Sequence, residues 1–459
     1  MISLIPARTF SLLISEILLI VGSFVLACYY VLPADPSGYL LFEGGMISVA
    51  VSVLSILIGL YLQDLYSDIY VTSKLRLLQK LILGIGVAFV VQGMVSYLDR
   101  ELRISIRIMI VGGFLTVVLL FVWRILYTAY LLPNVGGDRL LFVGGSAVLL
   151  DIARHVVGHP EMGLTVTGYV DNVHKPDAEL PGGKILGPVS ALPEIVKATR
   201  PTRLVVGMPE RRNGVPMAEL LDLRYAGHLI EEAATAYERV CGRVCIKELR
   251  PSQLIYTGEL GPRRQTLRYQ NLYNLVVASL AIVPALFLMV LTALAVRLSS
   301  PGPILYRQIR IGMYEVPFTL YKFRSMRVDA EAETGAVWAI KDDPRITRVG
   351  RIIRKIRLDE LPQLFNVLKG EMAIVGPRPE RPEFVKALSE QIPYYRQRHS
   401  VRPGITGWAQ INYKYGDTLE DTMTKLEYDL FYIKNMSVRL DSYIIFHTLK
   451  AMLLSRGAQ

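Results

Sequence analysis

Four runs of about 20 apolar residues fill the first 132 positions, near 9–32, 44–63, 77–97 and 106–132. That is the length a helix needs to cross a hydrocarbon core, so the front of this chain is expected to be a four-helix transmembrane bundle, residues 1–133. The first run is too long, and too closely followed by others, to be a cleaved signal peptide. Connection 64–76 carries Lys74 and Arg76, with Lys80 just beyond, and connection 33–43 carries no Lys or Arg. The positive-inside rule therefore puts both ends of the bundle in the cytoplasm, although Arg100 and Arg103 in the third connection pull the other way. Glu16, Arg107 and Arg124 lie in or near the runs. The two arginines are close to helix ends, where snorkelling to the interface is the expectation.

The whole chain keeps this apolar character: 459 residues, 52% hydrophobic, with a mean hydropathy of +0.35. That excludes an ordinary soluble protein and leaves room for two or three domains. The net charge of +11 points to anionic lipid headgroups and phosphorylated substrates. No nucleic-acid reading motif is present, so nucleic acid is not an expected partner. Cys28, Cys241 and Cys245 lack the second Cys/His pair a zinc site needs and are expected to be buried, reduced thiols.

From about 138 the pattern changes to alternating strands and helices. Arg139–Val143 reads as a buried strand followed by Gly144-Gly145-Ser146 and a helical run through His155. Val166–Val170 and Arg203–Gly207 read as further strands. This predicts a small Rossmann-like α/β domain over 134–262, with a regulatory or assembly role. A full Gly-x-Gly-x-x-Gly turn is missing, because Val148 and Leu149 occupy the region of the last Gly, so the turn is expected only to join strand to helix. His155, His159 and His228 are expected to be surface or satisfied residues.

A fifth apolar run, 271–298, has Pro284 near its centre. Proline removes a backbone donor and clashes with the preceding turn, which predicts a kink or break. Arg263, Arg264 and Arg268 precede the run, and Arg297, Arg307 and Arg310 follow it. Positive charge at both ends argues that both ends face the cytoplasm, as in a re-entrant helix.

The remainder carries the chemistry, in a domain expected over 263–459. Tyr321–Met326 alternates basic and apolar residues. Arg348, Arg351, Arg354, Lys355 and Arg357 lead into the run Leu358–Gly370, which opens with Asp359 and Glu360. Two carboxylates in a cationic field suit magnesium bridging a diphosphate. A solvated Asp-Glu pair at a helix start is the plainer alternative. Val375–Pro379 and the turn-rich Arg402–Gln410 follow.

These ordered motifs, Tyr321–Met326, Leu358–Gly370, Val375–Pro379 and Arg402–Gln410, resemble those of the bacterial sugar transferases, the monotopic polyprenyl-phosphate sugar-1-phosphate transferases. The resemblance covers 268 to near the C-terminus, and the N-terminal architecture matches the larger members that initiate exopolysaccharide or O-antigen synthesis. It implies an α-rich monotopic catalytic domain at the cytoplasmic face of the bacterial inner membrane. It also implies transfer of sugar-1-phosphate from a UDP-sugar to undecaprenyl phosphate, with release of UMP. Asp359 would be the nucleophile of a covalent phosphosugar intermediate, and Asp359 and Glu360 would hold Mg2+. Lys322 and Arg354 would hold phosphates and Arg378 the nucleotide portion; Arg324, Arg357, Arg381 and Arg402 complete the candidate substrate-binding set. Many members have Ser before the helix-breaking proline, where this chain has Val283. Glucose and galactose are the leading sugars by resemblance, and the middle domain offers surface for a homodimer. Two other readings compete. A membrane-anchored nucleotide-sugar dehydratase or epimerase would need a Tyr-x-x-x-Lys, and none occurs after 134. A non-enzymatic assembly scaffold would not need the Asp359-Glu360 pair.

Overall fold

The computed structural model describes residues 7–66, 73–98, 104–131, 137–172, 178–208, 216–249, 264–328, 330, 343–413 and 418–453. The chain divides into two compact units, Met1–Ala236 and Tyr237–Gln459.

In the first unit the four apolar runs are helices: α1 (Ala7–Val31), α3 (Gly45–Leu62), α4 (Lys74–Leu98) and α5 (Ile106–Leu126). All four are long and apolar enough to cross a membrane. A short helix α2 (Pro36–Phe42), capped by the Asp35 carboxylate on Gly38 N–H, joins the first two, and a π-helical turn, Tyr127–Leu131, extends α5. Helices α3 and α4 cross at Gly59 and Gly84, where a Cβ on Gly59 would lie 2.0 Å from the Gly84 carbonyl oxygen. Small residues permit this close approach.

Arg124 does not snorkel. Its Nε lies 2.6 Å from Glu16 Oε1, both side chains are at most 2% exposed, and a terminal nitrogen donates to the Leu65 carbonyl at 2.8 Å. An uncompensated charge among apolar helices is costly, so the carboxylate of α1 and the guanidinium of α5 pair inside the bundle. Trp123 Nε1 donates to Ser15 Oγ at 2.9 Å beside them. Arg107, at the start of α5, is exposed. Arg100, Arg103 and Arg263 lie outside the described residues.

The same unit holds a six-stranded sheet: β1 (Asp138–Val143), β2 (Leu164–Val170), β3 (Glu179–Leu180), β4 (Gly183–Gly187), β5 (Arg203–Val206) and β6 (Leu229–Glu232). The order is β3-β4-β2-β1-β5-β6. Neighbours are parallel except the β3/β4 pair. Helices α6 (Ala147–Gly158), α7 (Leu192–Thr199) and α8 (Met217–Tyr225) make the crossovers. Leu141, Val143, Val170, Leu192, Val196 and Leu204 form a buried core. Gly144 has φ +105°, and a Cβ there would lie 2.6 Å from the Gly207 carbonyl oxygen. The glycine turn thus serves a backbone-to-backbone approach between the ends of β1 and β5. His159 is exposed and stacks on half-buried His155.

The second unit begins at Tyr237, within α9 (Ala233–Cys241) and well before the expected boundary at 262/263. Its centrepiece is α10 (Arg264–Ser299), a helix of 36 residues that continues through Pro284 without interruption. Next come the antiparallel ribbon β7 (Leu305–Ile311) and β8 (Pro317–Phe323), α11 (Arg348–Lys355), α12 (Gln363–Leu368), β9 (Ala373–Val375) and α13 (Pro382–Gln391). The strand β10 (Gly404–Thr406) pairs parallel with β9, and α14 (Trp408–Asn412), α15 (Leu419–Lys434) and α16 (Val438–Leu453) complete the unit.

One face of α10 is buried and partly polar. Gln270 Nε2 donates to Tyr432 Oη at 2.7 Å, and Ile374 N–H donates to Asn274 Oδ1 at 2.9 Å. The other face exposes Leu272, Leu280, Val283, Phe287 and Leu294. Residues 237–249 pack on α15 and α14: Val244 N–H donates to the Glu427 carbonyl at 3.0 Å, Tyr237 Oη to Glu427 Oε2 at 3.0 Å and Trp408 Nε1 to the Gly242 carbonyl at 2.7 Å. The three cysteines are free and buried.

Candidate active site

The acidic pair is positioned by a reversal at the end of α11. Thr347 caps that helix, accepting from Gly350 N–H at 2.9 Å. At the other end Arg357 adopts φ 59°, the left-handed region. A non-glycine residue there carries strain of a kind often found at functional sites. The chain then enters a single 3-10 turn, Leu358–Glu360, which buries both carboxylates.

Cations converge on Glu360 from three elements. Lys322 Nζ, from β8, and an Arg378 nitrogen each lie 3.3 Å from Glu360 Oε1, and an Arg357 nitrogen lies 3.5 Å from the same oxygen. Leu320 and Lys322 share one face of β8 because strand side chains alternate, and both line a cleft with Arg310, Gln363, Arg378, Pro379 and Gly404. On the opposite face Tyr321 stacks under Lys369 and Arg307.

The two carboxyls have opposite character. Burial, reinforced by the Glu360 charge, pushes Asp359 above the usual carboxylate range, and Lys322, Arg354 and Arg357 only partly offset this. Burial also works against ionised Glu360, but Lys322, Arg378 and Arg357 outweigh it and hold that carboxyl low. Burial lowers Lys322, with Glu360 opposing. Asp359 Oδ1 is buried without a hydrogen-bond partner among the described residues. A carboxylate with an uncommitted oxygen, surrounded by cations, can attack a phosphorus or hold a metal.

Asp359 and Glu360 also fit a magnesium site. Magnesium usually takes one or two carboxylates and completes its shell with substrate phosphates and water. The unpartnered Asp359 oxygen beside Glu360 matches that donor set, and among the described residues no group of three or more His, Cys, Asp or Glu could hold a metal alone.

Of the residues singled out from sequence, Lys322, Arg354, Arg357, Arg378, Asp359 and Glu360 come together. Arg324 does not join them. Its guanidinium donates to the Ser300 and Pro301 carbonyls at 2.8 and 2.9 Å, because β8 ends at Phe323 and the next residue turns toward the end of α10. Arg402 bonds Asn271 on α10. Arg381 stands just before the first residue of α13, its guanidinium over the Phe384 ring. Sequence reasoning missed Arg310 and Gln363 as cleft residues. Arg310 appeared only as flanking charge, and its place depends on the β7/β8 pairing. Burial lowers its guanidinium to about 10.

Residues 265–455 match the family model described as bacterial sugar transferase. The chain is 45% identical over 222 residues to a UDP-N-acetylgalactosamine-undecaprenyl-phosphate N-acetylgalactosaminephosphotransferase of Aeromonas hydrophila, covering 48% of this chain and 52% of that protein. It is 48% identical over 168 residues to a UDP-glucose:undecaprenyl-phosphate glucose-1-phosphate transferase of Escherichia coli (strain K12), covering 36% of each. The chain thus spans about half or less of the length of these two relatives. An exopolysaccharide production protein of Rhizobium leguminosarum bv. phaseoli is 40% identical over 192 residues, which are 41% of this chain and 94% of that protein. With 94% of that relative covered and the family model matched over residues 265–455, the chain belongs to the bacterial sugar transferase family.

Proposed function

We propose that this protein transfers sugar-1-phosphate from a UDP-sugar to undecaprenyl phosphate at the cytoplasmic face of the bacterial inner membrane, as the first membrane step of exopolysaccharide or O-antigen synthesis. The observation that carries the reading is the buried Asp359 oxygen, unpartnered among the described residues, beside Lys322, Arg354 and Arg357, with Arg378 on the neighbouring Glu360. An Asp359 oxygen attacks the phosphorus that bears the sugar, and the bond from that phosphorus to the bridging oxygen breaks. UMP leaves with the electron pair, and the phosphosugar stays on Asp359 as an acyl phosphate. A phosphate oxygen of undecaprenyl phosphate then attacks the same phosphorus and expels the carboxylate. Lys322, Arg354 and Arg357 favour ionised Asp359 against burial, and with Arg310 and Arg378 they hold the diphosphate. Mg2+ bound by Asp359 and Glu360 would neutralise diphosphate charge.

The reading includes a re-entrant α10. Between Asn274 and Ser299 the helix would measure roughly 38 Å if straight, more than the ~30 Å hydrocarbon core. One unit grips both ends: Ile374 bonds Asn274, and Arg324 bonds Ser300. A spanning helix would put those two grips on opposite sides of the bilayer. A helix that enters and leaves one leaflet, bending at Pro284, keeps them together.

The test is product identity. Purified protein with undecaprenyl phosphate, magnesium and UDP-glucose, UDP-galactose or UDP-N-acetylgalactosamine should release UMP with one of them. Release of UDP would mean ordinary glycosyl transfer and would reject the phosphosugar reaction.

A further inference from the structure

The segment Pro377-Arg378-Pro379 carries one of the three cations on Glu360, yet it has few means of holding itself in place. Neither proline has an N–H, and the proline after Arg378 confines that residue to extended conformations. The segment is therefore stiff internally, and what must be fixed is its rotation as a body. Its three consecutive carbonyls are each held by a different element. Gly404 N–H donates to the Pro377 carbonyl at 2.9 Å. Arg398 donates to the Arg378 carbonyl at 3.0 Å. Arg310 donates to the Pro379 carbonyl at 3.0 Å.

Arg398 differs from the other cations of the unit. It is 7% exposed, does not line the cleft, and its nitrogens have protein partners. Nε and a terminal nitrogen bind Asp429 Oδ2 at 3.1 and 2.8 Å, and another nitrogen donates to Tyr395 Oη at 2.7 Å. A buried ion pair contributes little net stability, because desolvation offsets the attraction. Its geometric effect is large, since a planar guanidinium bound on three sides fixes direction in a way a lysine cannot.

We propose that Arg398, oriented by Asp429 on α15, is a positioning residue. It holds the carbonyl of Arg378 and so keeps that side chain aimed at Glu360 and at the nucleotide portion of the donor. The proposal rests on the reading of Arg378 as a residue that holds the nucleotide portion of the donor. Misplacement of a binding group by about 1 Å can cost up to 100-fold, so a partial loosening should be measurable.

The test uses the full-length protein in detergent and UMP as the probe. Arg398→Lys keeps the charge but cannot hold Asp429, Tyr395 and the Arg378 carbonyl together. It should weaken UMP binding about tenfold, the factor expected for one charge-assisted hydrogen bond, and should raise the donor KM more than it lowers kcat. Asp429→Asn should act in the same direction to a smaller extent, and it carries the test if Arg398→Lys does not fold. The decisive comparison is the Arg378→Ala background, in which Arg398→Lys should have no further effect on UMP affinity. Multiplying losses in the double variant, with Arg378→Ala itself deleterious, would overturn the positioning role alone. A lower melting temperature with unchanged UMP affinity in both Arg398→Lys and Asp429→Asn would do the same. If Arg378→Ala bound UMP normally, the assignment of Arg378 would fail first, and the positioning role with it.

Discussion

Residues 237–249 lie upstream of the segment that matches the family model, yet they belong to the catalytic unit, and removing them should be costly. Glu427 is buried and accepts hydrogen bonds from Tyr237 Oη and Ile246 N–H, with an Arg243 nitrogen 3.4 Å away. A protein beginning at residue 262 would strip Glu427 of these partners, a loss of about 1–3 kcal/mol. Trp408 would also lose its bond to Gly242, about 1 kcal/mol, and the apolar burial of Val244 and Ile246 is worth about 1.5–3 kcal/mol each. Together these rival the roughly 5–15 kcal/mol that stabilises a typical domain. A protein beginning at residue 237 keeps every one of these contacts. Thermal unfolding of the two purified proteins in the same detergent, alongside UMP release, makes the comparison. The shorter one should unfold at least about 10 °C lower and lose most of its activity. Melting temperatures within about 2 °C of each other, with equal activity, would show that residues 237–249 are dispensable to the unit.

Three further outcomes are expected. Burial raises Asp441 from 3.8 to about 7, so the fold favours its protonated form. That contribution is complete below the unfolded pKa and is lost as pH rises through the folded one. Asp441→Asn should therefore gain stability over the parent between about pH 4 and pH 7 and hold the gain above it, by up to about 4 kcal/mol; a pH-independent difference in melting temperature would contradict this. Cysteines placed at 268 and 300 in a chain without its native cysteines should both be labelled only from the cytoplasm, and labelling of one from outside would establish a spanning α10. Excess EDTA should abolish UMP release and added magnesium restore it, whereas full activity in chelator would remove the metal from the account.

Where local pattern and tertiary environment coincide, the sequence was readable. Twenty-residue apolar runs become helices because backbone groups in hydrocarbon must bond internally. The acidic pair was legible because arginines crowd it within a few positions. Arg324 misled because strand alternation from Lys322 breaks down when β8 stops at Phe323. Arg124 was misread because its partner is 108 positions away. Pro284 lies inside α10, which is helical on both sides of it. Arg310, Arg398 and the 237–249 segment left no local signature, since each owes its role to a neighbour from a distant element.

Covalent loading of Asp359 is the step on which the proposed reaction rests. The most direct measurement incubates the full-length protein with its UDP-sugar and magnesium but no lipid acceptor, then follows UMP release and the mass of the peptide bearing Asp359. The expected result is about one UMP per active site, a phosphosugar adduct on that peptide, and neither in Asp359→Asn, which should remain folded. UMP release that requires undecaprenyl phosphate, with no adduct under any condition, would contradict it and point to direct transfer between donor and lipid.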